Sequence, residues 1–128
     1  MKYDKPMKLN GRSQRYVSLH EKYLKESEEL YKQKNYSQVS EKLWGATVTI
    51  TKAIAASRSK TIKSHDGIGF YLASISKELK DESILNIVSI ANSMHQNFYE
   101  DNLPPEVIHK ASKTIKQFVK RMRSKFKV

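Results

Sequence analysis

Leu43-Trp-Gly-Ala-Thr-Val-Thr-Ile-Thr-Lys-Ala-Ile-Ala-Ala56 holds the only tryptophan of the chain and a single charge, Lys52. So little charge is ill suited to a surface. At helical spacing Val39, Leu43, Ala46, Ile50 and Ala53 form one stripe, and Trp44, Val48, Thr51 and Ala55 form a second beside it. A helix apolar over most of its circumference belongs at the centre of a bundle. Thr47-Val-Thr-Ile-Thr51 also alternates with period two and is β-branched, which is the pattern of a strand. Its context favours a helix: alanine-rich sequence follows, no turn residues bound the run, and helical periodicity continues on both sides. The expectation is an all-α, up-and-down antiparallel bundle of about five helices, with helix two central and Trp44 buried.

Working outward, residues 1–12 are basic and aperiodic and read as a flexible arm, with residues 13–128 as a single helical domain. From Ser13, a reasonable N-cap, Tyr16, Leu19, Tyr23, Leu30 and Tyr31 keep one face apolar as far as about Lys34. Asn35-Tyr-Ser37 then reads as a left-handed residue followed by the cap of helix two. That hairpin looks like a tetratricopeptide unit, but no second copy follows at about 34 residues. Helix two ends near Ser57, and the polar connection from Arg58 offers Ser64 and Asp66 as caps for helix three. Ile68, Tyr71, Leu72, Ile75 and Leu79 line one side of that helix. Gly67 and Gly69 weaken its first turn by about 1 kcal/mol each, which calls for a close approach by backbone or ligand. Asp81 caps helix four, in which Ile84, Val88, Ala91, His95 and Phe98 share a face. Two prolines open helix five.

With 128 residues and no linker, the chain can bury roughly two thirds of its unfolded surface in one core. The absence of cysteine excludes disulfides and thiolate chemistry and suits a reducing cytoplasm, the expected location. No apolar leader opens the chain, and the longest uncharged run, Ser83 to Tyr99, is broken by Asn86, Asn92, Ser93 and Gln96, so neither a signal peptide nor a membrane span is expected. No metal-binding histidine spacing and no glycine-rich phosphate loop occurs; no cofactor is expected.

The net charge of +11 is uneven: residues 81–103 carry −4 and residues 104–128 carry +7. Helix five turns Ile108, Ala111, Ile115, Phe118 and Met122 inward and aligns Lys113, Lys116, Lys120, Arg123 and Lys127 on the far side. A stripe of one sign suggests RNA or DNA held by its phosphates. A solvated face is the plainer reading, and nineteen lysines among 24 basic residues favour non-specific electrostatics over base readout.

Two polar clusters could carry chemistry. One is Arg58 with His65 and Asp66; the other is His95, Asn97, Tyr99 and Glu100. Antiparallel helices three and four would bring His65 and His95 to one end of the bundle, with Arg58 expected there too. Such a group could supply general acid, general base and phosphate stabilisation. The structural alternative is that His65 and Asp66 cap helix three and His95 is a hydrogen-bonded core residue.

The pattern around Leu43-Trp44 and Lys52-Ala-Ile-Ala-Ala56, the Ser64-His-Asp66 start of helix three, Ser93-Met-His-Gln-Asn-Phe-Tyr-Glu100 and Leu103-Pro-Pro-Glu-Val107 resemble the archaeal PaREP paralogous family over about residues 13–122. More distantly the chain is similar to the helical HEPN superfamily and to the substrate-binding subunits of nucleotidyltransferases. That likeness implies a helical bundle that often dimerises, so a homodimer and a nucleotidyltransferase-type partner are expected. Many HEPN proteins are metal-independent RNases with four to six residues between an arginine and a following histidine. Arg58-Ser-Lys-Thr-Ile-Lys-Ser-His65 has that spacing, with Ser59 where the nucleases usually carry Asn, Asp or His. Three functions follow as expectations: a helical binding or interaction module first, an RNase using Arg58 and His65 second, and a non-specific nucleic-acid binder third.

Overall fold

The computed structural model describes residues 10–128. Five α-helices and no strands are present among them: α1 Gly11–Lys32, α2 Tyr36–Ser57, α3 His65–Leu79, α4 Ser83–Glu100 and α5 Pro105–Phe126. Helix α2 is the only one in contact with all four others, so the charge-poor stretch does occupy the centre. Val39, Leu43, Ala46, Ile50, Ala53 and Ile54 are each no more than 1% exposed. The β-branched run stays helical because its hydroxyls bond back along the helix. Thr47 donates to the Leu43 carbonyl (3.0 Å), Thr49 to Gly45 (2.7 Å) and Thr51 to Thr47 (2.8 Å). Buried hydroxyls satisfied in this way leave no polar penalty to favour a strand.

The inward face of α5 is as expected, with Ile108, Ala111, Ile115, Phe118 and Met122 all buried. Helices α1, α3, α4 and α5 all contact α2 and cover most, though not all, of its circumference. No helix among the described residues is long and apolar enough to cross a membrane.

Several boundaries differ from expectation. Helix α1 is capped by Asn10, not Ser13: the Asn10 side chain accepts the Ser13 N–H at 2.8 Å and donates to the Ala56 carbonyl at 2.8 Å. Ser13 is instead buried, its hydroxyl donating to Ala53. Residues 10–12 therefore belong to the cap and first turn of α1, and the rest of the expected arm lies outside the described residues. In the α1–α2 turn the left-handed residue is Lys34 rather than Asn35. Ser64 caps α3 through Gly67 N–H, and the Asp81 carboxylate receives the Ser83 N–H at the start of α4.

The alternation of direction breaks once. His65 at the start of α3 lies against Trp44 in the first half of α2, whereas Glu78 at the end of α3 meets Arg58 at the end of α2. Helices α2 and α3 thus run parallel, and residues 58–64 travel back along the bundle to connect them. Arg12 of α1 reaches this return segment by donating to the Thr61 hydroxyl at 2.7 Å.

Candidate functional site

Trp44 is half-buried, which corrects the expectation that it is enclosed. It is the centre of a ring cluster at the surface. The His65 ring stacks on the indole at 4.4 Å and 24°, and the His95 ring at 4.7 Å and 27°. The two imidazole centroids are 5.2 Å apart. These three distances put both imidazoles side by side on one indole face, since rings on opposite faces would be nearly twice as far apart. Tyr99, 71% exposed, meets His95 edge-on at 5.6 Å.

The chain builds this cluster from three helices. The parallel course of α3 delivers His65 to the level of Trp44, and antiparallel α4 brings His95 to the same level from the other side. Glu41, one turn before Trp44, accepts from Nδ1–H of His95 at 3.1 Å. A carboxylate can only accept, so the hydrogen sits on Nδ1, leaving Nε2 of His95 to bond or exchange protons elsewhere.

Beside the rings an open cleft of about 460 Å³ runs between α3 and α4 with Trp44 and Thr47 of α2 at its base. Its walls include small residues, Gly69 and Ala73 on α3 and Ala91 on α4. Asp66 and Asn92 offer polar atoms in its lining, and Phe70, 79% exposed, also borders it. The two glycines have different reasons. A Cβ on Gly67 would lie 2.9 Å from Cγ2 of Ile62, so the return segment needs that space; one on Gly69 would come no closer than 3.4 Å, to Val88.

The other anticipated residues do not join this group. Arg58 was expected at the same end of the bundle. It is fourteen positions after Trp44 on one helix, about 20 Å along its axis, and bonds both Glu78 oxygens at 2.9 and 3.1 Å. Burial works against its charge, but Glu78 and Tyr71 together more than offset this and hold the guanidinium above its ordinary value. Asn97 turns inward: it donates to the Ser40 hydroxyl and accepts from Asn102 and Leu103 N–H, closing the turn after α4. Glu100 bonds Gln96 and Asn102 on the outside.

Nor is the basic stripe of α5 free along its length. Lys116 pairs with Glu28 at 2.9 Å and Arg123 with Glu21 at 2.9 Å, tying α5 to α1. Lys113, Lys120 and Lys127 are exposed.

Sequence reasoning missed Trp44 and Glu41 as members of the site because it assigned the tryptophan to the core. A signal was present. Glu41, Gly45, Val48 and Lys52 follow one another on the Trp44 side of α2, and a face with charges at both ends must reach solvent.

The chain belongs to the archaeal PaREP1/PaREP8 family, whose model matches residues 15–119. No curated protein and no solved structure matches it.

Proposed function

We propose that this PaREP1/PaREP8 chain is a binding module, with its ligand entering the cleft between α3 and α4 beside Trp44, His65 and His95. The observation that carries this reading is that Trp44 and His65, stacked on each other and joined by His95, line an open cleft whose walls include the small residues Gly69, Ala73 and Ala91. Rings presented this way suit a flat heteroaromatic ligand. Asp66 can accept from ring or amino N–H groups, and Asn92 can accept and donate. A nucleobase has that chemistry, and on this reading the chain holds a nucleotide for a partner enzyme.

The test is a titration of Trp44 emission with adenosine, cytidine and their monophosphates, on wild type and on Gly69→Leu, which fills the cleft. Saturable quenching by at least one of them, abolished in Gly69→Leu while the helical signal by circular dichroism persists, is the expected result. Absence of saturable quenching by any of the four overturns the nucleobase assignment.

Metal-independent RNA cleavage is the second reading, and one observation favours it. Glu41 orients His95 beside His65, an arrangement that could provide a base and an acid. Arg58, however, is engaged by Glu78 at the far end of α2, so the arginine–histidine pair that motivated this reading is not together. Hydrolysis of labelled RNA in EDTA, lost in both His65→Ala and His95→Ala, would raise it above binding.

A further inference from the structure

On the side of the bundle formed by α4 and α5, two openings join into one groove. The larger, about 840 Å³, is lined by Ser83, Asn86 and Ile87 of α4 and by Phe118, Lys120 and Arg121 of α5, among others. The smaller, about 300 Å³, includes Met94, Val107 and Lys110. Ile90 and Thr114 border both, which makes the groove continuous. Between Val107 and Lys125 it follows α5 for about 27 Å at 1.5 Å per residue.

The surface exposed in it is mostly apolar by area, although most of its lining residues are polar or charged; Ile90 is half-buried and Val107, at one end, is 44% exposed. The two walls differ in charge. From Ser83 to Tyr99, α4 carries no acidic or basic side chain apart from His95, which faces Glu41 instead. On α5, Lys110, Lys120, Arg121 and Lys125 stand along the groove. Arg121 is paired with Asp81 at 2.9 Å, and none of the three lysines has an ion-pair partner among the described residues.

We infer that this groove is the docking site for an acidic amphipathic helix of a partner protein, which lays its apolar face on Ile90 and Val107 and sets its carboxylates against Lys110, Lys120 and Lys125. Length, apolar floor and one-sided positive rim match the way an amphipathic helix is held in a groove. A second copy of this chain is a poor occupant, because at +11 it carries the same sign as the rim. Nucleic acid is a poor occupant too. The only aromatic in the lining, Phe118, is 1% exposed, so no ring is offered for a base, and an apolar floor gains nothing from phosphates.

The probe is a fluorescein-labelled synthetic peptide of about 18 residues, the length the groove accommodates, with leucines at i, i+3, i+4 and i+7 and glutamates on the remaining face. Its anisotropy is followed against the full chain. The controls are a scrambled peptide of identical composition and a single-stranded oligouridylate of equal charge. The expected outcome is saturable binding that prefers the amphipathic order and weakens roughly tenfold in Lys120→Glu/Lys125→Glu and in Val107→Glu. All three substitutions are at the surface, and circular dichroism checks that the variants stay folded. Equal binding of the scrambled peptide or the oligouridylate, wild-type affinity in the variants, or no saturable binding each overturns the inference. None of these substitutions lies in the Trp44 cleft, so the quenching test of that site should be unaffected by them and the two proposals fail separately.

Discussion

His65 lies flat on the indole of Trp44, ring centroids 4.4 Å apart, although the two residues belong to different helices and are separated by the whole second half of α2 and the return segment. The contact has two consequences. It sets α3 parallel to α2, and it leaves one edge of the central helix at the surface, where the indole is shared among solvent, two imidazoles and the cleft.

Trp44 should therefore matter less to stability than its size suggests. Trp44→Ala is expected to cost about 1–2 kcal/mol, against about 3–5 kcal/mol for Phe118→Ala, because Phe118 is 1% exposed and leaves a cavity that its neighbours cannot fill. Urea unfolding of both variants gives the comparison. Acrylamide should also quench Trp44 emission in the folded protein.

The two glycines of α3 should respond in opposite directions. Gly69→Ala gains up to about 1 kcal/mol of helix propensity, since its new methyl meets Val88 at ordinary contact distance. Gly67→Ala is expected to lower stability, because the methyl would collide with Ile62 and push away the segment that precedes the helix. Thermal melts of the pair decide; a Gly67→Ala protein more stable than wild type would contradict the packing of residues 58–64.

Asn97 is expected to act on folding rather than on ligand. It is 1% exposed and satisfies the Ser40 hydroxyl and two backbone N–H groups. Asn97→Ala should cost roughly 2–4 kcal/mol, since unsatisfied buried groups cost about 1–3 kcal/mol each. The quenching of Trp44 by a cleft ligand should be retained at temperatures where the variant is folded.

Stability should fall with acid at a pH set by His20. This residue is fully buried in α1, its Nδ1–H donating to the Ala46 carbonyl at 2.9 Å while Nε2 has no partner among the described residues. Burial lowers its pKa from 6.5. Below that value the unfolded chain takes up a proton that the folded one resists, so stability is lost as the pH falls through about 6.5 and stops falling only beneath the lowered folded value. The expected slope approaches about 1.4 kcal/mol per pH unit in that window. His20→Leu should remove it from denaturation curves taken between pH 7 and 5. Asp81 and Glu26, whose carboxyls are held low by bonds to Ser83 and to Lys42, respond only at more acid pH.

Five helices, the central place of α2 and the inward face of α5 were legible in the chain because each depends on a local period. Apolar residues three and four apart must share a side of a helix, and a helix with few charges must be covered. The convergence of His65 and His95 was also legible, once α3 and α4 were taken as antiparallel neighbours. What the tertiary structure alone decided is the path of residues 58–64. That polar segment has no periodicity, so nothing in it says whether the chain turns back at the end of α2 or returns along the bundle before entering α3. The return separates Arg58 from His65 by the length of half a helix, gives the arginine to Glu78 and gives the histidine to Trp44. Burial was ambiguous for the same reason: Trp44 is apolar enough for the core, and only the arrangement of neighbours around α2 determines that its stripe is the one left partly uncovered.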